Sequence, residues 1–206
     1  MARAATLAFG RKKGGPHWKV NHRDPAIGAG EESMQAVCDI LEQLVLDGTL
    51  KHYALGGATA AGFHGEPLAT RDIGVFVFLP LQPDSPLISL EGLFSRLAEL
   101  GFAEFEEEGL LIHGFPVQFL VATPGLEAEA VERAFVSEWD GHRIRVVPPE
   151  YLAAIAITVG RPKDRARLVY LAELPGFNRS SFADIIARHG LGERSNEWAK
   201  ALGLAL

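Results

Sequence analysis

The feature that most constrains the fold of this chain is the segment YALGGATAAGFH, residues 53–64, followed at residues 72–80 by DIGVFVFLP. It predicts a strand, a turn at Gly56-Gly57, a short helix of small residues, and a second strand that is apolar on both faces. Small residues let a helix pack closely on a sheet, and a strand that is apolar on both faces is typical of a central, doubly covered position. The segment therefore predicts a sheet with helices packed on it.

The flanking sequence extends this pattern into a mixed α/β domain. The other predicted elements are helices over 31–47 and from Ser89 to about Leu100, a strand pair turning at Gly109, a strand over 115–123, a hairpin at Asp140-Gly141, helices after residue 148 that break near residues 160–162, and helical pieces at 182–189 and 197–202. We therefore expect an α/β domain over residues 31–148 and a C-terminal helical extension over residues 149–206.

Charge is distributed unevenly along the chain. The formal net charge is −6 over 206 residues, yet residues 1–24 hold six basic residues and one acidic residue, which leaves −11 for the remainder. This stretch has glycines and prolines and no apolar period, which predicts a flexible basic arm over residues 1–30 without a regular element. Such an arm is either solvated or contacts nucleic acid or an acidic partner. The acidic body argues against an extended nucleic-acid interface.

Composition limits the classes of protein to which the chain can belong. Hydrophobic residues make up 48% and charged residues 22%, which predicts a packed core. No apolar run approaches the roughly 20 residues that span a bilayer, and the N-terminus lacks the apolar stretch of a secretory signal. The single cysteine, Cys38, excludes an internal disulfide, and its apolar helical surroundings predict a buried thiol. We expect a soluble, cytoplasmic protein without a membrane partner.

The Gly56-Gly57 turn is suited to a phosphate group, because glycines allow close approach and the start of a helix attracts negative charge. Asp72 begins the next strand, where its carboxylate could face that helix start. A second acid two residues later would lie on the same face, and the pair could hold Mg²⁺ against the phosphates of a nucleoside triphosphate. That position is Gly74. Asp72 is thus either a remaining metal ligand or a carboxylate that braces the start of the strand.

Two segments resemble a known family. The stretch GGATAAGFHGEPLATRDIGVFVF resembles the glycine-to-acid motif of the nucleotidyltransferase fold, a DNA polymerase beta-like palm, and most closely that of AbiEii-type toxin-related nucleotidyltransferases. The matching residues are Gly56, Gly57, His64, Gly65, Thr70, Asp72 and Ile73. A later segment resembles the Gly-Arg-x-Lys-Asp helix pair of that group, with matches at Gly160, Arg161, Lys163 and Asp164. The resemblance implies a nucleotidyltransferase-like palm whose cleft faces this second segment.

The resemblance also implies the residues of the site. It implies that a nucleotide contacts Gly56, Gly57, Thr59 and Lys163, and that Asp72 is the candidate catalytic and metal-binding residue. The sequence departs from the family motif at the other acidic positions, because Gly74 replaces the second Asp and Gln118 stands where a neighbouring strand carries the third acid. Two of the three negative charges that would hold Mg²⁺ are therefore missing. The glutamates that could replace them lie on a predicted neighbouring strand: Glu104, Glu106, Glu107 and Glu108.

Three functions are compatible with this sequence. The first is a nucleotidyltransferase-superfamily protein with an eroded metal site, which binds a nucleotide weakly or is a non-catalytic partner or regulator in a toxin–antitoxin-like system. The second is an active Mg²⁺-dependent nucleotidyltransferase that modifies RNA, protein or a small molecule through Asp72 and a relocated acid. The third is a protein-interaction module whose cleft is closed by Leu68, Phe76 or Phe119. Only the second of these functions requires a cofactor, Mg²⁺.

Overall fold

The protein has an α/β fold built on a mixed sheet. The structure is a computed structural model that describes residues 7–12, 15–20, 34–65, 72–80, 89–139 and 141–205. Its strands are β1 (Leu7–Lys12), β2 (Gly15–Val20), β3 (His52–Leu55), β4 (Ile73–Phe78), β5 (Phe105–Glu106), β6 (Gly109–Ile112), β7 (Phe115–Val121), β8 (Phe135–Trp139) and β9 (His142–Val146). Its helices are α1 (Met34–Leu46), α2 (Gly57–His64), α3 (Glu91–Glu99), α4 (Leu126–Glu132), α5 (Pro149–Val159), α6 (Pro162–Ala172), α7 (Arg179–Arg188) and α8 (Gly192–Leu202). The predicted mixed α/β class is confirmed.

Strand β4 lies in the middle of the main sheet, whose order is β5-β6-β7-β4-β3-β9-β8. It pairs antiparallel with β3 and parallel with β7. Ile73, Val75 and Val77 point to one face and are fully buried, and Phe76 on the other face is also buried. The prediction of a central strand covered on both faces is confirmed, because an apolar run without alternation can be accommodated only where both faces are covered.

Helix α2 lies between the sheet and the C-terminal helices, and its small residues make this possible. The buried residues of the helix are Thr59, Ala60, Ala61 and Gly62. A Cβ at Gly65, which follows the helix, would overlap the side chains of Tyr170 and Leu174 in or just after α6. The end of α2 therefore touches the end of α6 with no room for a further side chain.

The C-terminal helices divide where the sequence predicted a break. Gly160 ends α5 in the left-handed conformation, with φ 79°, and Pro162 is at the first position of α6. A left-handed glycine satisfies the end of one helix, and proline suits the start of the next because its missing N–H has no intrahelical partner there. Helix α8 begins at Gly192 rather than at the predicted residue 197, because its buried face includes the polar Ser195, which the apolar pattern does not reveal.

Glu129 of α4 connects this helix to α5 and α7. Its carboxylate accepts hydrogen bonds from Tyr151 Oη at 2.7 Å, from Arg188 Nη1 at 2.6 Å and from His189 Nε2 at 2.7 Å. Burial opposes ionisation of this carboxyl, but the hydrogen bonds from Tyr151 and His189 outweigh it and lower the pKa of Glu129. The cluster joins the helical extension to the sheet domain. The division between the two at residue 148 stays a prediction.

The predicted strand pair turns at a different place. Glu106 pairs with Gly109, so the turn is formed by Glu107, with φ 53°, and Glu108, and the prediction of a turn at Gly109 is wrong. Gly109 lies inside β6, where a Cβ would come within 2.8 Å of the Pro116 side chain. This glycine therefore allows two strands to pack closely. Glu107 and Glu108 belong to the turn and not to a strand.

The N-terminal arm contains a hairpin. Strands β1 and β2 pair antiparallel, from Leu7 opposite Val20 to Lys12 opposite Gly15. The prediction that the arm has no regular element is wrong for these strands, because only two residues separate them and a connection of that length allows antiparallel pairing. The rest of the arm, with its predicted flexibility, lies outside the described residues.

The remaining general predictions concern Cys38 and membrane spans. Cys38 is fully buried in α1, and burial raises the pKa of its thiol to about 12, so the prediction of a buried thiol is confirmed. Within the described ranges, every helix is too short or too polar to cross a bilayer.

Candidate functional site

The Gly56-Gly57 turn requires glycine at both positions, for different reasons. A Cβ at Gly56 would lie 2.5 Å from the ring of Phe76, so this position has no room for a side chain. Gly57 has φ +61°, which L-residues rarely adopt, and a Cβ there would meet nothing within 4 Å. The turn is thus packed against the sheet on one side and open beside Gly57.

Helix α2 begins at this turn without a side-chain cap, because its N-cap residue is Gly56. Its first N–H groups are not satisfied by earlier turns of the helix, and together with the helix dipole they favour negative charge. Thr59 was predicted to contact a nucleotide. It is fully buried, and its Oγ1 donates to the Asp72 carbonyl at 3.3 Å. In the structure this hydroxyl attaches the start of β4 to α2 and so places Asp72 beside the turn.

The two altered acidic positions are direct neighbours. Gly74 pairs with Gln118 in the parallel register of β4 and β7, so both positions face the same side of the sheet. A Cβ at Gly74 would lie 3.8 Å from the backbone of Gly56, and a side chain at this position would therefore point toward the turn. Phe119 faces the opposite side, where it contacts Phe94 of α3 with ring centroids 6.1 Å apart.

Glu108 is the glutamate of the 104–108 run that the structure connects to the altered positions. Gln118 Nε2 donates to Glu108 Oε2 at 2.8 Å. The bond brings the exposed β5–β6 turn onto the face that Gly74 and Gln118 share. The sequence offered four glutamates as possible replacements for the missing acids. It could not single out Glu108, because the predicted turn at Gly109 was wrong.

Asp164 organises the start of α6. Its fully buried carboxylate accepts hydrogen bonds from Arg161 N at 3.1 Å, Arg161 Nε at 2.8 Å, Arg161 Nη2 at 3.3 Å and Arg167 Nη1 at 2.9 Å. Burial opposes ionisation, but the hydrogen bonds from Arg161 and the charges of both arginines lower the pKa of Asp164. Asp164 thus caps the N-terminus of α6. Lys163, predicted to contact a nucleotide, lies exposed in the same helical turn.

The charges of Asp72 and Glu108 act on the arginines at the start of α6, and we refer to the Gly56-Gly57 turn, positions 72, 74 and 118 and the start of α6 as the cleft. The pKa of Arg161 is raised mainly by its hydrogen bonds to Asp164, with further contributions from the charges of Asp72 and Glu108. Burial lowers the pKa of Arg167, and the charges of Asp164 and Asp72 oppose this effect. Asp72 therefore acts on both guanidinium groups at the start of α6. Sequence reasoning missed Arg167, although its position three residues after Asp164 on a predicted helix indicated this contact.

The residues of this cleft do not fit a divalent cation held by protein carboxylates. Mg²⁺ takes oxygen ligands, and the motif supplies only Asp72, because Gly74 has no side chain and the Gln118 amide donates to Glu108. Among the residues that the structure describes, no group of three or more His, Cys, Asp or Glu could hold a metal ion. The metal-binding and catalytic roles of Asp72 stay predictions.

Two other candidate residues have identifiable environments. His64 Nε2 donates to the Val147 carbonyl at 2.8 Å, and burial lowers the pKa of His64. Phe76 lies directly against Gly56 on the face of the turn, whereas Phe119 lies on the other face. Of the three residues considered as a plug, Phe76 is thus on the relevant side, and Leu68 lies outside the described residues.

Comparisons with known proteins give similar structures but no family assignment. No family model and no curated protein matches the chain. An antigenic nucleotidyltransferase-like protein from Paracoccidioides brasiliensis matches with 14% identity and a TM-score of 0.47, over 85% of this chain and 94% of that chain. The solution structure of the antibiotic-resistance factor ANT(2'')-Ia matches with 14% identity and a TM-score of 0.44, over 82% of this chain and 96% of that chain. Because both TM-scores are below 0.5, we argue function from the cleft residues.

Proposed function

We propose that the protein is a member of the nucleotidyltransferase superfamily that binds a nucleotide and does not transfer it. The observation that carries the proposal is the contrast within the cleft. Gly57 stands beside open space at a helix start, which favours an anion such as a phosphate, while positions 74 and 118 offer no carboxylate on the face where the motif needs two. Binding and chemistry have different requirements, and this contrast supports binding without transfer.

Transfer of a nucleotidyl group depends on charge neutralisation at the reacting phosphate, which metal ions normally provide. A single motif carboxylate, Asp72, gives little affinity for a hard cation compared with three. The arrangement therefore favours a nucleotide sensor or a non-catalytic partner. The first expectation is that nucleoside triphosphates bind to the protein and that it does not incorporate label from them into RNA, protein or small acceptors.

The binding claim is tested with a matched pair of glycine substitutions. Gly57 and Gly48 both have positive φ, +61° and +81°, and a Cβ at either would meet nothing within 4 Å. Gly57→Ala and Gly48→Ala should therefore cost similar stability, about 1–2 kcal/mol. Calorimetric titration of ATP, GTP, CTP and UTP should show weaker binding only for Gly57→Ala. Equal affinities in the two variants would contradict a site at the turn.

The non-catalytic claim is tested by rebuilding the acids. A Cβ at position 74 would make only ordinary contacts, and we expect the double substitution Gly74→Asp with Gln118→Asp to place three carboxylates on one face with Asp72. We expect calorimetric Mn²⁺ binding in the double variant and none in the original protein. Label transfer by the original protein would show that the claim is wrong.

A second candidate function is an active enzyme that uses Asp72 with Glu108. The observation in its favour is that Glu108 reaches Gln118, the position of the missing third acid. This candidate predicts metal-dependent label transfer that disappears in Glu108→Gln. The non-catalytic proposal predicts no transfer in either protein, so the two functions are separated by one assay.

The regulatory part of the proposal rests on the resemblance of the two motifs to toxin-related nucleotidyltransferases. A non-catalytic partner should leave bacterial growth unchanged when its expression is induced, whereas an active toxin should arrest growth. If no nucleoside triphosphate binds with or without metal, a protein-interaction function is favoured, and Phe76 against Gly56 is then the side chain that closes the cleft.

A further inference from the structure

We propose that guanidinium groups replace metal ions in this cleft, so that the phosphates of a nucleotide bind to Arg161 without a divalent cation. This inference rests on the proposed nucleotide binding and specifies how it occurs. The turn is suited to a phosphate, but the described side chains do not form a cluster that could hold a metal ion. The positive charge must then come from the protein itself.

Arg161 has the geometry to supply this charge. One edge of its guanidinium, Nε and Nη2, is fixed by Asp164 at 2.8 and 3.3 Å, and its side chain is 51% exposed. An arginine side chain has five N–H donors, so the two side-chain hydrogen bonds to Asp164 leave three donors for a ligand, two on Nη1 and one on Nη2. A guanidinium held on one edge is pre-organised, and a phosphate can bind to it with charge-assisted hydrogen bonds.

Arg167 keeps the charge of Arg161 from being cancelled by Asp164. The side chain of Arg167 is only 12% exposed and donates from Nη1 to Asp164, which is itself 1% exposed. These two residues form a buried pair whose charges balance. The Arg167 Nε is also buried and has no hydrogen-bond partner in the described part of the chain, so its donor capacity in this pocket is not exhausted. Arg161, Asp164 and Arg167 together carry a net charge of +1, and Arg161 is the exposed guanidinium of this group, with the exposed Lys163 in the same helical turn.

The packing of α2 and α6 places this charge near the turn. At the ends of the helices, Gly65 after α2 lies against Tyr170 and Leu174. At their beginnings, the backbone of Asp72 is hydrogen-bonded to Thr59 of α2. The charge of Asp72 acts on Arg161 and Arg167 near the beginning of α6. The two helices thus have their beginnings on the same side.

The Asp72 carboxylate has opposite effects on nucleotide affinity in an arginine site and in a metal site. In a metal site the carboxylate holds the cation, so its neutralisation abolishes nucleotide binding. In a site built from arginine, the Asp72 carboxylate competes with the phosphate for Arg161, so its neutralisation strengthens binding. The sign of the change in affinity in Asp72→Asn therefore distinguishes the two kinds of site.

The experiment is calorimetric titration of ATP into the full chain, once with EDTA and once with Mg²⁺. The variants are Asp72→Asn, Arg161→Gln and the control Arg165→Gln. Arg165 is on the same helix, but its guanidinium lies over the ring of Trp198, 5.3 Å from the centroid. With EDTA, we expect binding to the original protein, a loss of about tenfold or more in Arg161→Gln, a gain of a few fold in Asp72→Asn, and a change below about twofold in Arg165→Gln.

Each alternative result overturns a different claim. ATP binding that needs Mg²⁺ and disappears in Asp72→Asn would leave the proposed function standing and show that this inference is wrong. Equal losses in Arg161→Gln and Arg165→Gln would show nonspecific attraction to a basic helix. No binding under either condition would remove the proposed function itself. Thermal unfolding checks that each variant folds, and Arg161→Lys, which keeps the charge but loses the fork of donors, should bind with intermediate affinity.

Discussion

The two sides of the cleft differ in what the backbone demands of their residues. At the turn, Gly56 has no space for a side chain and Gly57 has a backbone conformation that disfavours one. Across from it, Gly74 has space for a side chain, and Gln118 is held by one hydrogen bond to an exposed glutamate. The glycines of the turn are required by the fold, with or without a ligand. The residues at 74 and 118 are not.

This difference separates evidence about the fold from evidence about chemistry. Packing and backbone conformation already require glycine at this turn, so the turn would persist in a protein that binds no ligand. It is therefore stronger evidence for the fold than for ligand binding. A position where a Cβ makes only ordinary contacts but where no acid stands is more informative, because the backbone there does not require glycine. The absence of acids at positions 74 and 118 therefore supports the proposed binding without transfer.

Gly56→Ala should have the largest effect on stability. The new methyl group would lie 2.5 Å from the ring of Phe76, which is buried and cannot move aside freely. Overpacking of this kind costs about 1–3 kcal/mol, and we expect the upper part of that range. Urea unfolding measures the cost. The control is Gly92→Ala in α3, where a Cβ meets nothing within 4 Å and alanine should stabilise the helix. A cost below about 0.5 kcal/mol for Gly56→Ala would show that the turn is not tightly packed.

Gly57→Ala should have the second largest effect, from a different cause. Its Cβ would enter open space, so the cost is only that of a left-handed residue, about 1–2 kcal/mol. Gly57→Asn should cost less than Gly57→Ala, because asparagine tolerates this conformation better. Urea unfolding of both variants gives the comparison. An asparagine variant that is less stable than the alanine variant would indicate crowding instead of backbone strain.

These cases also show how far the sequence could predict the structure. Local patterns sufficed for the central strand β4 and for the break between α5 and α6 at Gly160, because apolar runs and caps act over few residues. The place of Gln118 on a strand next to Gly74 came from the family resemblance. They failed at the β5–β6 turn, where Glu107 adopts φ 53° and Gly109 is used for packing on Pro116. That use of a glycine depends on a neighbouring strand and has no local pattern.

The candidate site was predicted less completely than the fold. The sequence indicated Asp72 and the two glycines, yet it did not indicate that the charge of Asp72 acts on Arg161 and Arg167. The two motifs are separated by about 90 residues in the sequence. The relation of their charges is set by the packing of α2 on α6, which depends on the tertiary structure.

Gln118→Glu tests the strand side of the cleft and should have a smaller effect. It replaces a donor 2.8 Å from Glu108 with a second carboxylate, so an attraction becomes a repulsion. Because Glu108 is exposed, the expected loss is about 0.5 kcal/mol at low ionic strength and less in 1 M salt. Urea unfolding at both ionic strengths measures it, and adding Glu108→Gln should restore stability. A loss that salt leaves unchanged would mean that Gln118 acts through packing.

Gly74→Ala should have the smallest effect, and it tests the comparison most directly. The nearest atoms to its Cβ would be 3.8 Å away, an ordinary contact, and alanine restricts the unfolded chain more than glycine does. We expect unchanged or slightly increased stability in urea unfolding, within about 0.5 kcal/mol. A loss above about 1 kcal/mol would show that the fold itself requires glycine at position 74. The missing acid would then have a steric cause, and the inference from its absence to a non-catalytic site would lose its basis.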